Sequence, residues 1–189
     1  MRYWKSARRA GAAGAVVALA LALCGCGAVD TSPPGLLEVR GARVAADSSA
    51  PVLELGLDCR LGGTAQDALQ HGIPITLRID LQAGRWPRAV QAAHSIELRY
   101  FPLSRRYQLR ENGGPETRSF ATAAYLFSAL GALRFDLPPE FSALPPSTPL
   151  RVNVELDPAA LPGPLRLPAL FEPAWRLASP EYAWTAAAP

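Results

Sequence analysis

The stretch His71–Leu81, HGIPITLRIDL, decides the fold. Ile73, Ile75, Leu77, Ile79 and Leu81 alternate with Pro74, Thr76, Arg78 and Asp80. A period of two, apolar on one side and charged on the other, is that of a half-buried β-strand. Pro74 cannot donate to a ladder, so it belongs at the strand's entrance. The pattern predicts a middle strand of an antiparallel sheet.

Working outward, the same alternation recurs. Leu53, Leu55, Leu57, Cys59 and Leu61 share one side, against Glu54, Asp58 and Arg60 on the other. Ile96, Leu98 and Tyr100 lead through a turn near Pro102–Arg105 to Tyr107 and Leu109, which predicts a hairpin. Leu150, Val152, Val154 and Leu156 form the last firm strand, and Leu36–Val44 is a first strand weakened by Gly41. Two short helices complete the set. One has Thr64 as its N-cap, Asp67 in its first turn and Gly72 past its end; the other runs from an N-cap at Thr122 to Leu130, with Gly131 to stop it. Pro158–Pro189 is a Pro-rich tail whose Trp175 and Trp184 suit core cover. The expected fold is α+β and β-rich: an antiparallel sheet or sandwich-like domain with two short helices, over residues 36–189.

The first residues read as a targeting segment. Arg2, Lys5, Arg8 and Arg9 precede an apolar run, Ala10–Leu23, too short and small-residued for a comfortable membrane span. The sequence Leu23-Cys24-Gly25-Cys26 resembles the lipobox of bacterial lipoproteins, with Cys26, preceded by small Gly25, as the lipidated residue. Cleavage near Ala28, leaving a soluble periplasmic protein, is the alternative. Residues 1–26 are thus expected to be a signal peptide of lipoprotein type and residues 27–35 a Pro-containing spacer. Gly27, in the place where an Asp would favour inner-membrane retention, points to the outer membrane.

The chain has 19 basic and 16 acidic residues, formally +3. Four of the bases and none of the acids lie before Cys26, so the remainder carries about −1 and the usual inference to nucleic acid fails. Past Cys26 the chain contains no Lys and a single thiol, Cys59, so the domain cannot form an internal disulfide.

Catalytic and cofactor signatures are absent. GxSxG, a P-loop, GxGxxG and HExxH do not occur, no paired cysteines follow Cys26, and His71 and His94 stand alone in what reads as loop-like sequence. No catalytic, cofactor-binding or metal-binding residue is assigned. Cys59 alternates inward, where a thiol acts as a small hydrophobe. Arg60, Arg78, Arg99, Arg110 and Arg151 lie on polar strand faces that also carry Asp58, Asp80, Glu97 and Glu155, the pattern of a solvated sheet with cross-strand pairs. The best surface candidate is the loop GRWPR, where Arg85, Trp86 and Arg88 would present an aromatic–cationic contact to a partner; the alternative folds Trp86 back over the sheet edge.

Several pieces in order resemble one family: the exported N-terminus, the helix into GIPITLRI, the hairpin IELRYFPLSRRYQLREN, the helix begun by SFATAAYLFSAL, and the tail WRLASPEYAW. They are similar to domain of unknown function 4390, a family of Gram-negative envelope proteins. The resemblance implies an envelope location and a β-rich single domain, and no chemistry. The expected protein is a lipid-anchored, non-enzymatic binding or assembly module. It would touch the membrane through its anchor and an envelope protein or ligand through its domain, with no nucleic acid and no cofactor. A soluble periplasmic hydrolase and a carrier of an apolar ligand are the alternatives.

Overall fold

The structure, a computed structural model, describes residues 34–46, 50–85, 87–111 and 117–186. In chain order the elements are β1 (Leu36–Ala46), β2 (Pro51–Arg60), α1 (Gly63–Gln70), β3 (Ile75–Ala83), β4 (Val90–Phe101), β5 (Arg106–Glu111) and β6 (Thr117–Phe120). They continue with α2 (Ala123–Ala129), β7 (Leu133–Asp136), β8 (Pro149–Leu156), α3 (Gly163–Phe171) and β9 (Tyr182–Thr185). A six-stranded sheet has the order β6-β5-β4-β3-β8-β9, and a three-stranded sheet the order β1-β2-β7. Every pairing is antiparallel. The β-rich α+β expectation holds, with three short α-helices among the described residues instead of two.

The alternating residues from Ile75 onward form β3, hydrogen-bonded to β4 on one side and β8 on the other. Pro74 lies just before it, where a missing donor costs no ladder bond. Ile75, Leu77, Ile79, Leu81 and Ala83 are at most 1% exposed. They join Leu53, Leu55, Leu57 and Cys59 of β2, Ile96 and Leu98 of β4, and Leu150, Val152 and Val154 of β8 in one core. His94 of β4 stacks on Phe135 of β7 with 4.9 Å between ring centroids, so the sheets face one another across that core.

Gly41 has a specific reason to sit in β1. Val39 pairs with Leu57 and Gly41 with Gly56, which leaves Arg40 as one extra residue in a bulge. The insertion shifts the phase of the strand: Leu37 and Val39 face the core before it, Ala42 and Val44 after it. Without the bulge, Gly41 and Arg43 would be the inward residues.

The helices correct two expectations. The N-cap of α1 is Gly62, with no side-chain cap; Thr64 lies inside the helix, and Asp67 lies past its first turn. Gly35 occupies the space there: a Cβ on Gly62 would come within 3.2 Å of the Gly35 nitrogen. Gly72 does end the helix at φ +82°, with its N–H bonding to the Leu69 carbonyl and that of Ile73 to the Ala68 carbonyl. Thr122 caps α2, its Oγ1 accepting from the Tyr125 N–H at 3.3 Å. The Pro-rich tail holds α3 and β9, with Trp175 buried and Trp184 packed partly against the core.

The two ends of the sandwich differ. Gly35 lies against Gly62 and Leu177, the Leu177 carbonyl accepts from the Leu156 N–H, and the Asp157 N–H donates to the Thr76 carbonyl. The chain therefore enters at the end where β3 begins and β8 stops. The β3–β4 turn is at the other end, where the Gly84 N–H bonds to the Pro149 carbonyl.

Cys59 is 3% exposed, and burial pushes its thiol up to about 12. Cys59→Ala should cost about 1 kcal/mol, the transfer term of one small buried group. Cys59→Asp should prevent folding, because an unpaired carboxylate would be buried. A polar alkylating reagent should modify Cys59 at the rate of unfolding; fast modification of the native protein would contradict the burial.

Candidate functional site

Among the described residues a groove lies on the three-stranded sheet, with a volume of about 630 Å³. Its floor is backbone. Gly41 of β1 pairs with Gly56 of β2, and a Cβ on Gly56 would come within 3.1 Å of the Gly131 carbonyl oxygen, just ahead of β7. The Gly131 carbonyl, in the turn ahead of β7, thus fills the place of a side chain on Gly56, while the place above Gly41 is open. The Leu57 N–H donates to the Leu130 carbonyl and holds that turn in place.

The walls are arginine. Arg40, the extra residue of the bulge, bonds to Asp58. Glu54 stands between its cross-strand neighbours Arg43 and Arg134, giving Oε2 to the first and Oε1, at 3.7 Å, to the second. Arg40, Arg43 and Arg134 keep 64%, 75% and 61% of their side chains exposed. Ion pairs so exposed stabilise by only about 0–1 kcal/mol. The Arg40 hydrogen bond holds the Asp58 carboxyl below the ordinary carboxylate value. Each guanidinium carries five donors in a rigid fork, so one carboxylate contact leaves Arg40 and Arg43 each with donors for a further acceptor. The groove lining also includes Tyr182 of β9.

A family model described as a domain of unknown function, DUF4390, matches residues 36–185. The chain belongs to the DUF4390 family. The match begins on the first residue of β1 and ends on the last of β9, so the two-sheet sandwich is the DUF4390 domain. No curated protein and no solved structure matches the chain.

The surface residues chosen from sequence lie elsewhere in the DUF4390 domain. Arg85 and Arg88 are exposed in the β3–β4 turn, at the end opposite the chain's entry, with the Arg88 N–H bonded to the Arg85 carbonyl. Trp86 and Cys26 lie outside the described residues. The outer face of the large sheet carries the expected mixed pairs. Arg78 bonds to Asp80 and Glu155, Arg110 to Glu97 at 3.1 Å, and Arg151 approaches Glu181 at 3.9 Å. Among the described residues no three His, Cys, Asp or Glu side chains are grouped to hold a metal, and no helix is long and apolar enough to cross a membrane.

Sequence reasoning missed the groove because its parts are far apart in the chain. Arg40 and Arg43 lie in the expected strand Leu36–Val44 with nothing to single them out, and Arg134 falls between recognised elements. The one local signal was Gly41, an interruption in an otherwise good strand.

His94 also departs from its loop-like reading. It lies within β4, half-buried against Phe135, with Nε2 lacking a hydrogen-bond partner. Burial lowers its pKa below 6.5, opposed by the charge of Asp136. With the folded pKa below the unfolded one, the unfolded chain binds the extra proton. Stability is then complete above about pH 6.5 and falls as the pH drops toward the folded value. Thermal melts between pH 7.5 and 5, values that bracket histidine's ordinary range, should show this decline. His94→Phe should flatten it; an unchanged slope would assign the decline to other groups.

Proposed function

We propose that this DUF4390 protein is a lipid-anchored binding module of the cell envelope, and that the arginine-walled groove is its ligand surface. The observation that carries the reading is the open backbone at Gly41, paired with Gly56, in a groove that Arg40, Arg43 and Arg134 also line. A backbone floor admits close approach, and planar guanidiniums bind carboxylate or phosphate through two parallel hydrogen bonds. The ligand class is therefore an extended chain carrying carboxylate or phosphate groups. The residues bring binding groups together and supply no nucleophile–base pair, so the reading is recognition and not turnover. The anchor is Cys26, supported by the Leu23–Cys26 motif after a short apolar run.

Gly41 provides a clean test. A Cβ there meets nothing within 4 Å, and its backbone is not in the left-handed region. Gly41→Leu should fill the groove and leave the melting temperature unchanged. Arg43→Gln removes one charged hydrogen-bond donor, worth about 1.5–3 kcal/mol, so affinity should fall tenfold or more. Binding of the full chain to arrays of acidic peptides and phosphorylated glycans reads both variants. Equal binding by wild type and Gly41→Leu would rule the groove out.

The anchor is tested separately. Cys26→Ser should release the protein from membranes or block its maturation, since stable attachment takes two acyl chains, at about 0.8 kcal/mol per buried CH₂. A wild-type protein without acyl label would refute it.

A further inference from the structure

The helix α3, GPLRLPALF, has one charged residue in nine. Leu165 and Ala169 turn toward the domain. At three- and four-residue spacing on the other side, Leu167, Leu170 and Phe171 are 68%, 56% and 76% exposed. A helix apolar all round ordinarily lies inside a core; here only half of it is covered. Arg166 is held at the rim, its Nε donating to the Leu161 carbonyl at 2.7 Å. Leu103, 104% exposed, crowns the β4–β5 turn. That turn is at the same end of the sandwich, since a Cβ on Gly72 would lie 3.6 Å from Pro102 Cδ.

The position of this face relative to the chain's entry indicates what covers it. Gly35, where the described domain begins, packs on Gly62 and Leu177; Gly62 in turn lies beside the Ala174 carbonyl, three residues past Phe171. From Pro34 back to Cys26 there are eight peptide steps, at most about 29 Å when fully extended. An acyl chain on Cys26 would therefore keep this end of the domain, with its exposed leucines and Phe171, within a short reach of the bilayer.

We infer that α3 is a membrane-surface contact: Leu167, Leu170 and Phe171, with Leu103 at the same end of the sandwich, enter the phospholipid interface and orient the domain on its anchor. The inference rests on the lipid-anchor reading of Cys26. An apolar helical face of this kind lies in the interface plane, about 5–10 Å into the headgroup and acyl boundary. In this orientation Arg85 and Arg88, at the opposite end of the sandwich, point away from the membrane.

The buried, unreactive Cys59 makes a site-specific label practical. Phe171→Cys and, as a control, Ser147→Cys at the far end, are introduced into the full chain and matured in cells. The acylated protein is labelled with a polarity-sensitive fluorophore and reconstituted into phosphatidylethanolamine–phosphatidylglycerol vesicles, with and without brominated acyl chains. Mass spectrometry of the same preparation reads the acyl group on Cys26. The expected result is a blue-shifted emission at residue 171, quenched by the brominated lipid, and water-like, unquenched emission at residue 147. Water-like emission at 171 on acylated, vesicle-bound protein would overturn the contact and leave the anchor standing. A blue shift without lipid quenching would assign the face to a second copy or a protein partner and overturn it as well. A bare Cys26 in the mass spectrum would remove the anchor, and the inference with it.

Discussion

The burial of one side of β3 is the constraint on which the rest depends. Five side chains at alternate positions are withdrawn from water, each contributing on the order of 1.5–3 kcal/mol for the larger ones. A one-residue slip against β4 or β8 would expose all of them and bury Arg78 and Asp80 instead. The register of β3 with both neighbours is therefore tightly specified. It sets where the strands start and stop, and so which loops meet at each end of the sandwich.

The small sheet answers to the same core but solves a different problem. β1 must cover the core with Leu37 and Val39 and then with Ala42 and Val44, whose spacing is out of phase by one. The bulge at Arg40 absorbs the difference. It also places an arginine beside Gly41, opposite Gly56, so the device that keeps apolar residues inward builds one wall of the groove. Glu54 between Arg43 and Arg134 keeps two further guanidiniums ordered across the strands without burying them.

Chain entry and surface chemistry are separated along the sandwich axis. Gly35, α3 and the β4–β5 turn share the end that carries Leu103, Leu167, Leu170 and Phe171, whereas the β3–β4 turn with Arg85 and Arg88 closes the other. In the proposed reading, one end meets lipid and the groove on the small sheet stays open to ligand. Ser179 shows how the tail reaches this arrangement. Its hydroxyl accepts from the Val154 N–H at 3.1 Å, its N–H bonds to the Val154 carbonyl, and Pro180 then redirects the chain toward β9.

Several features were legible from residue order alone. Alternation over five or more positions marked β2, β3, β4 and β8, because a buried sheet face repeats every second residue and needs no partner to be recognised. It placed Cys59 inward for the same reason, and Thr122 announced α2 through cap chemistry confined to one turn. The membership in DUF4390 was likewise carried by motifs strung along the chain. What tertiary structure decided was of another kind. β6, β7 and β9 are four residues long, too short to display a period, and become strands only because an edge is there to pair with. The prolines at 162, 164 and 168 mask α3, which is helical because Leu165 and Ala169 have a core to cover. His94 reads as polar and lies inward, since the facing ring of Phe135 accepts its flat side. The groove joins residues 40–43, 54–56 and 131–134, and sequence spacing carries no trace of such a meeting. Proximity across strands is set by register, and register is settled only when the whole core is packed.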